Sequence, residues 1–76
     1  MDERYINLQD AILREIVQER VLVTLYLMNG FQIRGTIVAF DSFVVVLVTD
    51  EKQQMIYKHG ISTVAPMHPL KAAIPQ

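Results

Sequence analysis

The hydrophobic positions in the first quarter of the chain repeat with the period of an α-helix. From Leu8 to about Glu19, the apolar residues fall on one half of a helical wheel, and they are Leu8, Ile12, Leu13, Ile16 and Val17. Asn7 can cap the first turn, and Asp10 three residues later approximates a capping box. The pattern predicts an amphipathic helix over this range that packs on an apolar surface. Gln9 projects toward the apolar half, where the simplest interpretation is a polar residue at a helix end.

From Val21 onward, the pattern changes to short β-branched and aromatic runs separated by turn residues. It predicts five strands, which are Val21 to Met28, Phe31 to Phe40, Phe43 to Val48, Gln53 to Tyr57, and Ile61 to Ala65. Asn29-Gly30 is a strong hairpin signal, and Gly35 predicts a sharp bend or a close backbone approach within the second strand. Three prolines punctuate the remaining residues, so we expect a largely irregular tail.

One helix followed by five short antiparallel strands predicts a mainly β fold. Its strongly bent sheet would roll into a small, partly open, SH3-like barrel. The last two strands are short and apolar, so their edges are liable to pair with another chain. A fixed head-to-tail pairing of this kind closes into a ring.

Composition supports assembly and limits the possible chemistry. A chain of 76 residues has a thin stability margin, and a hydrophobic content of 51% indicates that some apolar surface is buried between chains. Cysteine is absent, which excludes disulfides and thiolate metal sites, and only His59 and His68 could act as imidazole ligands. We expect no metal or cofactor.

Charge and hydropathy narrow the partners and the location. Seven Lys and Arg against eight Asp and Glu give a formal charge of -1, so any binding of nucleic acid must come from a local arrangement. The longest apolar run, Phe43 to Val48, is far shorter than the roughly 18 residues that span a bilayer. The acidic start, Met1-Asp2-Glu3, is unlike a secretory signal. We therefore expect a cytoplasmic protein.

Lys58 and His59 stand side by side at the corner between the last two predicted strands. Such a pair can bind an anion or a nucleotide. Taken alone, however, Lys58 is more simply a charge that guards a strand edge, and His59 a turn residue. The aromatic residues are core residues by default, and we assign Phe40 to the core.

Several segments together resemble the Hfq family of bacterial Sm-like RNA chaperones. They are Leu8-Gln9-Asp10, Tyr26-Leu27-Met28-Asn29-Gly30, Gly35, Phe40-Asp41-Ser42-Phe43, and Tyr57-Lys58-His59-Gly60-Ile61-Ser62-Thr63-Val64. The last segment matches a family signature nearly letter for letter. The resemblance implies an Sm-like domain at residues 8–66, after an N-terminal extension at 1–7 and before a short irregular tail at 67–76. It also implies a homohexameric ring, in which the fourth strand of one subunit pairs with the fifth strand of the next.

The resemblance further implies three RNA-binding surfaces. Uridine-rich RNA would bind on the helix-bearing face, where the matching residues are Gln9, Phe43, Lys58 and His59, with Ser42 in place of the usual amide. Adenine-rich RNA would bind on the opposite face through Tyr26, Asn29, Gly30, Phe31, Gln32, Ile33, Gln54 and Thr63. A basic rim that helps to anneal RNAs is reduced here to Arg20, with Arg14 as a possible helper.

These features predict an RNA chaperone that holds small regulatory RNAs and messenger RNAs without covalent chemistry. One alternative is an SH3-like module that binds a protein partner through its edges and aromatic residues. Another is an enzyme that uses a His59–Asp41 pair, but nothing in the sequence supplies a nucleophile, a metal shell or a second positioned base. Asp41 is more simply a turn residue that bonds the backbone.

Overall fold

The computed structural model describes residues 3–71, with side chains described from residue 8 onward. In this part of the chain, helix α1 (Glu3–Glu19) precedes five strands. The strands are β1 (Leu22–Leu27), β2 (Gln32–Phe40), β3 (Val44–Thr49), β4 (Lys52–Tyr57) and β5 (Ile61–Pro66). A 3₁₀ turn, Lys58–Gly60, joins β4 to β5. All five predicted strands are therefore confirmed, and each end lies within one residue of the prediction.

Helix α1 begins earlier than predicted and ends where predicted. Its first residue is Glu3 rather than Leu8, so Asn7 lies within the helix and the predicted cap is wrong. Residues 3–7 contain neither glycine nor proline, so no breaking residue separates them from the amphipathic stretch. At the other end, the Val21 N–H donates to the Ile16 carbonyl at 3.1 Å, and Arg20 has a φ of 54°. This is a Schellman ending with arginine at the position that glycine usually occupies.

The strands form one antiparallel sheet in the order β4-β3-β2-β1-β5. The pairing shifts register between Ile37 and Ala39 on β2, and again opposite β5 after Tyr26. Such bulges bend and twist a sheet. A side chain at Gly35 would place its Cβ 2.5 Å from the Val48 carbonyl oxygen, which confirms the predicted close approach. The predicted bent, partly open sheet is confirmed, with β4 and β5 as its two edges.

The core lies between α1 and one face of the bent sheet. Its fully or nearly buried apolar residues are Leu13, Ile16, Val21, Val23, Leu25, Ile37, Val45, Leu47 and Leu70. Phe40 is half-buried and packs against this cluster, as predicted. No helix within residues 3–71 is long and apolar enough to cross a membrane.

The segment after β5 has an unpredicted role in the core. Residues 67–71 form neither helix nor strand, as expected, yet Leu70 is only 1% exposed. The backbone N–H of Lys71 donates to Glu15 Oε2 on α1 at 2.8 Å. The tail therefore returns to the helix and closes one side of the core.

Candidate nucleic-acid interface

Backbone hydrogen bonds fix the corner that carries Lys58 and His59. The Lys58 N–H donates to the Phe43 carbonyl at 2.7 Å, and the Met28 N–H donates to the Gly60 carbonyl at 2.9 Å. The 3₁₀ turn is thus tied to the residue before β3 on one side and to the β1–β2 loop on the other. This places the turn that carries Lys58 and His59 next to Phe43.

The Lys58 ammonium group has two defined neighbours within the described residues. Nζ donates to Gln9 Oε1 at 3.0 Å and lies 5.6 Å from the centroid of the Phe40 ring. An ammonium group can only donate, so the Gln9 amide must present its oxygen to Lys58. The Gln9 amide NH₂ is then left to face a ligand. Although its helix-end position suggested no more than a polar surface residue, Gln9 is joined to the candidate site by this contact.

The turn at Asp41 presents an aromatic ring to solvent. Asp41 Oδ1 accepts hydrogen bonds from the backbone N–H groups of Phe43 at 2.8 Å and Val44 at 2.9 Å. These two bonds lower the pKa of the Asp41 carboxyl, desolvation opposes them, and the charge of Lys58 adds to the lowering. The prediction of a backbone-bonding turn residue is confirmed. Phe43, which follows the exposed Ser42, is 74% exposed and is therefore not a core aromatic.

His59 is held against a neighbouring ring on the solvent side of the corner. Its imidazole stacks on the Tyr57 ring, with centroids 5.7 Å apart and an interplanar angle of 29°. Both side chains are exposed. The exposed imidazole is therefore accessible to a phosphate or a hydroxyl group of a ligand.

A groove of about 430 Å³ lies between the first half of α1 and the edge strand β5. Its walls are mainly apolar, and they comprise Leu8, Gln9, Ile12, Leu13, Val45, Lys58, Ile61, Ser62, Thr63 and Val64. Gln9 and Lys58 supply its amide and ammonium donors. Apolar walls with a few convergent donors suit a flat ring that has carbonyl acceptors on its edge.

A second group of predicted residues meets on the opposite face of the sheet. Tyr26 on β1 stands directly opposite Gln32 on β2 and Thr63 on β5. Directly opposed residues in antiparallel strands share a face, so these three side chains form one row. The adjoining hairpin is ordered by the Phe31 N–H, which donates to Asn29 Oδ1 at 3.0 Å, and by Gly30 at a φ of 94°.

Two residues predicted for this face lie elsewhere in the single chain. Ile33 stands opposite the buried Leu25 and packs half-buried against the core. Gln54 lies on β4, opposite Leu47 of β3. Strands β3 and β2 separate β4 from β1. One chain therefore does not bring Gln54 to Tyr26.

The two predicted rim residues lie in different structural settings. Arg14 and Arg20 are both exposed, but Arg20 lies beyond the end of α1. Arg20 also has a left-handed φ of 54°, so it does not continue the helical face that carries Arg14.

Sequence reasoning missed the roles of two residues near these surfaces. Phe40 lies against the core as predicted, but its ring also lies beneath the Lys58 ammonium. Arg34, whose simplest interpretation is a solvated charge, stands exposed opposite Thr24, in the row next to Tyr26. The alternation along β2 predicts that Arg34 shares a face with Gln32, and the pairing of these residues with Thr24 and Tyr26 agrees.

Comparison with known proteins gives a consistent result. The family model described as "Hfq protein" matches residues 8–71. The RNA-binding protein Hfq of Syntrophomonas wolfei subsp. wolfei is 50% identical over 70 residues, which cover 92% of this chain and 85% of that protein. The RNA-binding protein Hfq of Ruminiclostridium cellulolyticum is 54% identical over 67 residues, which cover 88% and 84%.

Solved structures agree in fold. A 1.55 Å crystal structure of "the pleiotropic translational regulator, Hfq" has a TM-score of 0.76 and 42% identity, and the match covers 78% of this chain and 98% of that one. An Hfq protein from Anabaena sp. gives a TM-score of 0.73 at 23% identity over 79% of this chain and 97% of its own, and this supports the fold alone.

Proposed function

The chain belongs to the Hfq family, a family of RNA-binding chaperones rather than enzymes, and we propose that it is an RNA chaperone that binds single-stranded RNA as a homohexameric ring. Its ligands are small regulatory RNAs and messenger RNAs in the cytoplasm. The observation that carries the proposal is the contact of the Lys58 side chain with Gln9, together with the backbone hydrogen bond from Lys58 to Phe43, whose ring is exposed. It joins an aromatic stacking platform to donors for a base edge.

Uridine-rich segments bind on the helix-bearing face. Phe43 stacks on a base, which contributes about 1–3 kcal/mol per base. The free amide NH₂ of Gln9 and the Lys58 ammonium donate to the carbonyl groups of uracil. Beside Phe43, Ser42 has a shorter side chain than the amide residue usual in the family. His59 meets phosphate or sugar hydroxyl groups. Only donors face the ligand from Gln9 and Lys58, which favours a base with two carbonyl groups.

Adenine-rich segments bind on the opposite face. Tyr26 is the stacking platform there, and Gln32 and Thr63 in its row supply polar contacts. The hairpin residues Asn29, Gly30 and Phe31 lie alongside. Because the rim is reduced to Arg20, with Arg14 as a helper, annealing driven by the rim is weak.

The strand order supports ring assembly through the two free edges. If β4 of one subunit pairs with β5 of the next, the order across the interface becomes β1, β5, and then β4 of the neighbour. That pairing covers Met55 and Tyr57 on β4, which are 59% and 54% exposed in the single chain. It also brings Gln54 of one subunit near Thr63 and Tyr26 of another. Six weak sites around one ring then act on a tethered strand, so avidity compensates for the near-neutral charge.

Fluorescence anisotropy with short U-rich and A-rich oligonucleotides tests the two faces. Lys58→Ala should weaken U-rich binding and leave A-rich binding intact, whereas Tyr26→Ala should do the reverse. If both variants keep wild-type affinity for both RNAs, the two-face assignment is wrong. Light scattering should give the mass of six chains, and a monomer would contradict the ring.

A mixing experiment tests whether the A-rich pocket spans two subunits. Tyr26→Ala and Gln54→Ala chains, each weak alone, are unfolded together and refolded at equal ratio. A subunit with intact Tyr26 can then lie beside a neighbour with intact Gln54, so part of the A-rich binding should return. Mixed rings that bind no better than either variant alone would contradict a site shared between subunits.

A further inference from the structure

The Lys58 ammonium lies over an aromatic ring that the proposed U-rich site does not otherwise use. Nζ is 5.6 Å from the Phe40 centroid and 3.0 Å from Gln9 Oε1. We propose that Phe40 is a positioning residue that holds the Lys58 ammonium, by a cation–π contact, in the place from which it meets RNA. This inference rests on the proposed U-rich function of the same site.

Phe40 is itself fixed, so it can serve as a rigid support. It is the last residue of β2, stands directly opposite the buried Val45, and packs half-buried against the core. A cation within about 6 Å of a ring centroid is attracted by the negative face of the ring, and more strongly where water is partly excluded. Lysine otherwise samples many rotamers around its flexible four-carbon stem. The ring therefore reduces the freedom that Lys58 would lose on binding RNA.

The neighbouring carboxylate does not replace this contact. Asp41 attracts Lys58, but its Oδ1 already accepts two backbone hydrogen bonds, and no ion pair joins the two side chains within the described residues. Gln9 is neutral and lies on the exposed surface of α1. Phe40 is the rigid neighbour of the three. The four residues from Phe40 to Phe43 would thus supply both the support for the cation and the ring that stacks on the base.

The test separates the electrostatic role of the ring from its packing role. Phe40 is replaced site-specifically by 4-fluoro- and 3,4,5-trifluorophenylalanine, which weaken the negative ring face with little change in volume, and in parallel by Phe40→Leu. U-rich affinity should fall stepwise with fluorination. It should be about two- to five-fold weaker for the trifluoro variant and for Phe40→Leu, as the usual strength of an exposed cation–π contact implies. A-rich affinity, measured on the same preparations, should not change.

A spectroscopic readout reports the contact directly. In the wild-type protein, the ε-methylene protons of Lys58 should be shifted upfield in the NMR spectrum by the Phe40 ring current. Phe40→Leu should abolish that shift. A Lys58 signal at the random-coil position in the wild type would overturn the proposal.

Lys58→Ala distinguishes failure of the inference from failure of the proposed function. If Lys58→Ala weakens U-rich binding but the fluorinated variants bind as the wild type does, Phe40 does not position Lys58 and the function stands. If Lys58→Ala leaves U-rich binding unchanged, the proposed site fails and the inference fails with it. An equal loss of U-rich and A-rich affinity across the fluorinated series would assign Phe40 a purely structural role and also overturn the proposal.

Discussion

Leu70→Ala should destabilise the protein far more than the position of Leu70 in a proline-rich tail suggests. The side chain is 1% exposed and belongs to the same cluster as Ile16 and Leu47. Removing a buried leucine side chain to the β-carbon usually lowers the free energy of unfolding by about 2–5 kcal/mol, because transfer and cavity terms add. The free energy of unfolding of a native protein is about 0.05–0.15 kcal/mol per residue. For a chain this short, the loss is therefore a large share of the total stability.

The measurement is urea unfolding followed by far-ultraviolet circular dichroism. Chain concentration must be equal for all variants, because ring assembly would couple stability to concentration. Met67→Ala is the matched control, since Met67 lies in the same tail but is 54% exposed, and we expect a change below about 0.5 kcal/mol. If the free energy of unfolding of Leu70→Ala lies within about 0.5 kcal/mol of that of the control, Leu70 is not packed in the core. That result would also contradict the docking of the tail on Glu15 of α1.

Three further predictions concern single side chains away from the core. Glu51→Gly should raise the midpoint temperature of unfolding by a few degrees. Asp50 and Glu51 form the β3–β4 turn at φ values of 49° and 68°, which glycine adopts without strain. A lower midpoint would contradict this reasoning. Because the pKa of Asp41 is lowered, its carboxylate stabilises the fold above the usual pKa of 3.8 and loses that effect as pH falls further. Between pH 6 and pH 2, the midpoint temperature of unfolding should therefore fall more steeply for the wild type than for Asp41→Asn. Parallel curves would refute this prediction. Arg34→Gln should reduce the slope of log affinity against log salt concentration for A-rich RNA by about 0.7 for each phosphate that the arginine no longer neutralises. The slope for U-rich RNA should not change. An equal reduction for both RNAs would contradict the placement of Arg34.

Much of the fold follows from local signals in the chain. The alternation of Phe31 to Phe40 predicted β2 to within one residue, and Asn29-Gly30 predicted the hairpin. Gly35 predicted the close approach of strands because no larger residue fits there. These features depend on neighbours in sequence or on a single steric requirement, so a pattern can reveal them.

The features that escaped prediction depend on contacts between distant residues. Leu70 directly follows Pro69 in an irregular tail, so no periodicity marks it as a core residue, and only the return of the tail to α1 buries it. Gln9 looked like an ordinary helix-end residue because its partner, Lys58, lies 49 positions away. The early start of α1 was missed for a different reason. Asparagine can cap a helix that begins after it, but Asn7 does not end a helix that began earlier in the chain.

The two edges of the sheet connect the architecture to the proposed function. An exposed edge with apolar side chains is a liability in a monomer, and the β4 edge carries Met55 and Tyr57. The same strand carries Gln54, and Tyr57 leads directly into Lys58 and His59. A ring formed through these edges would therefore complete the A-rich site with a neighbour's Gln54 and gather six copies of the Lys58 corner around one axis. Because edge pairing and RNA contacts share one short segment, a substitution that prevents pairing should weaken both sites even where no RNA-contacting residue has changed.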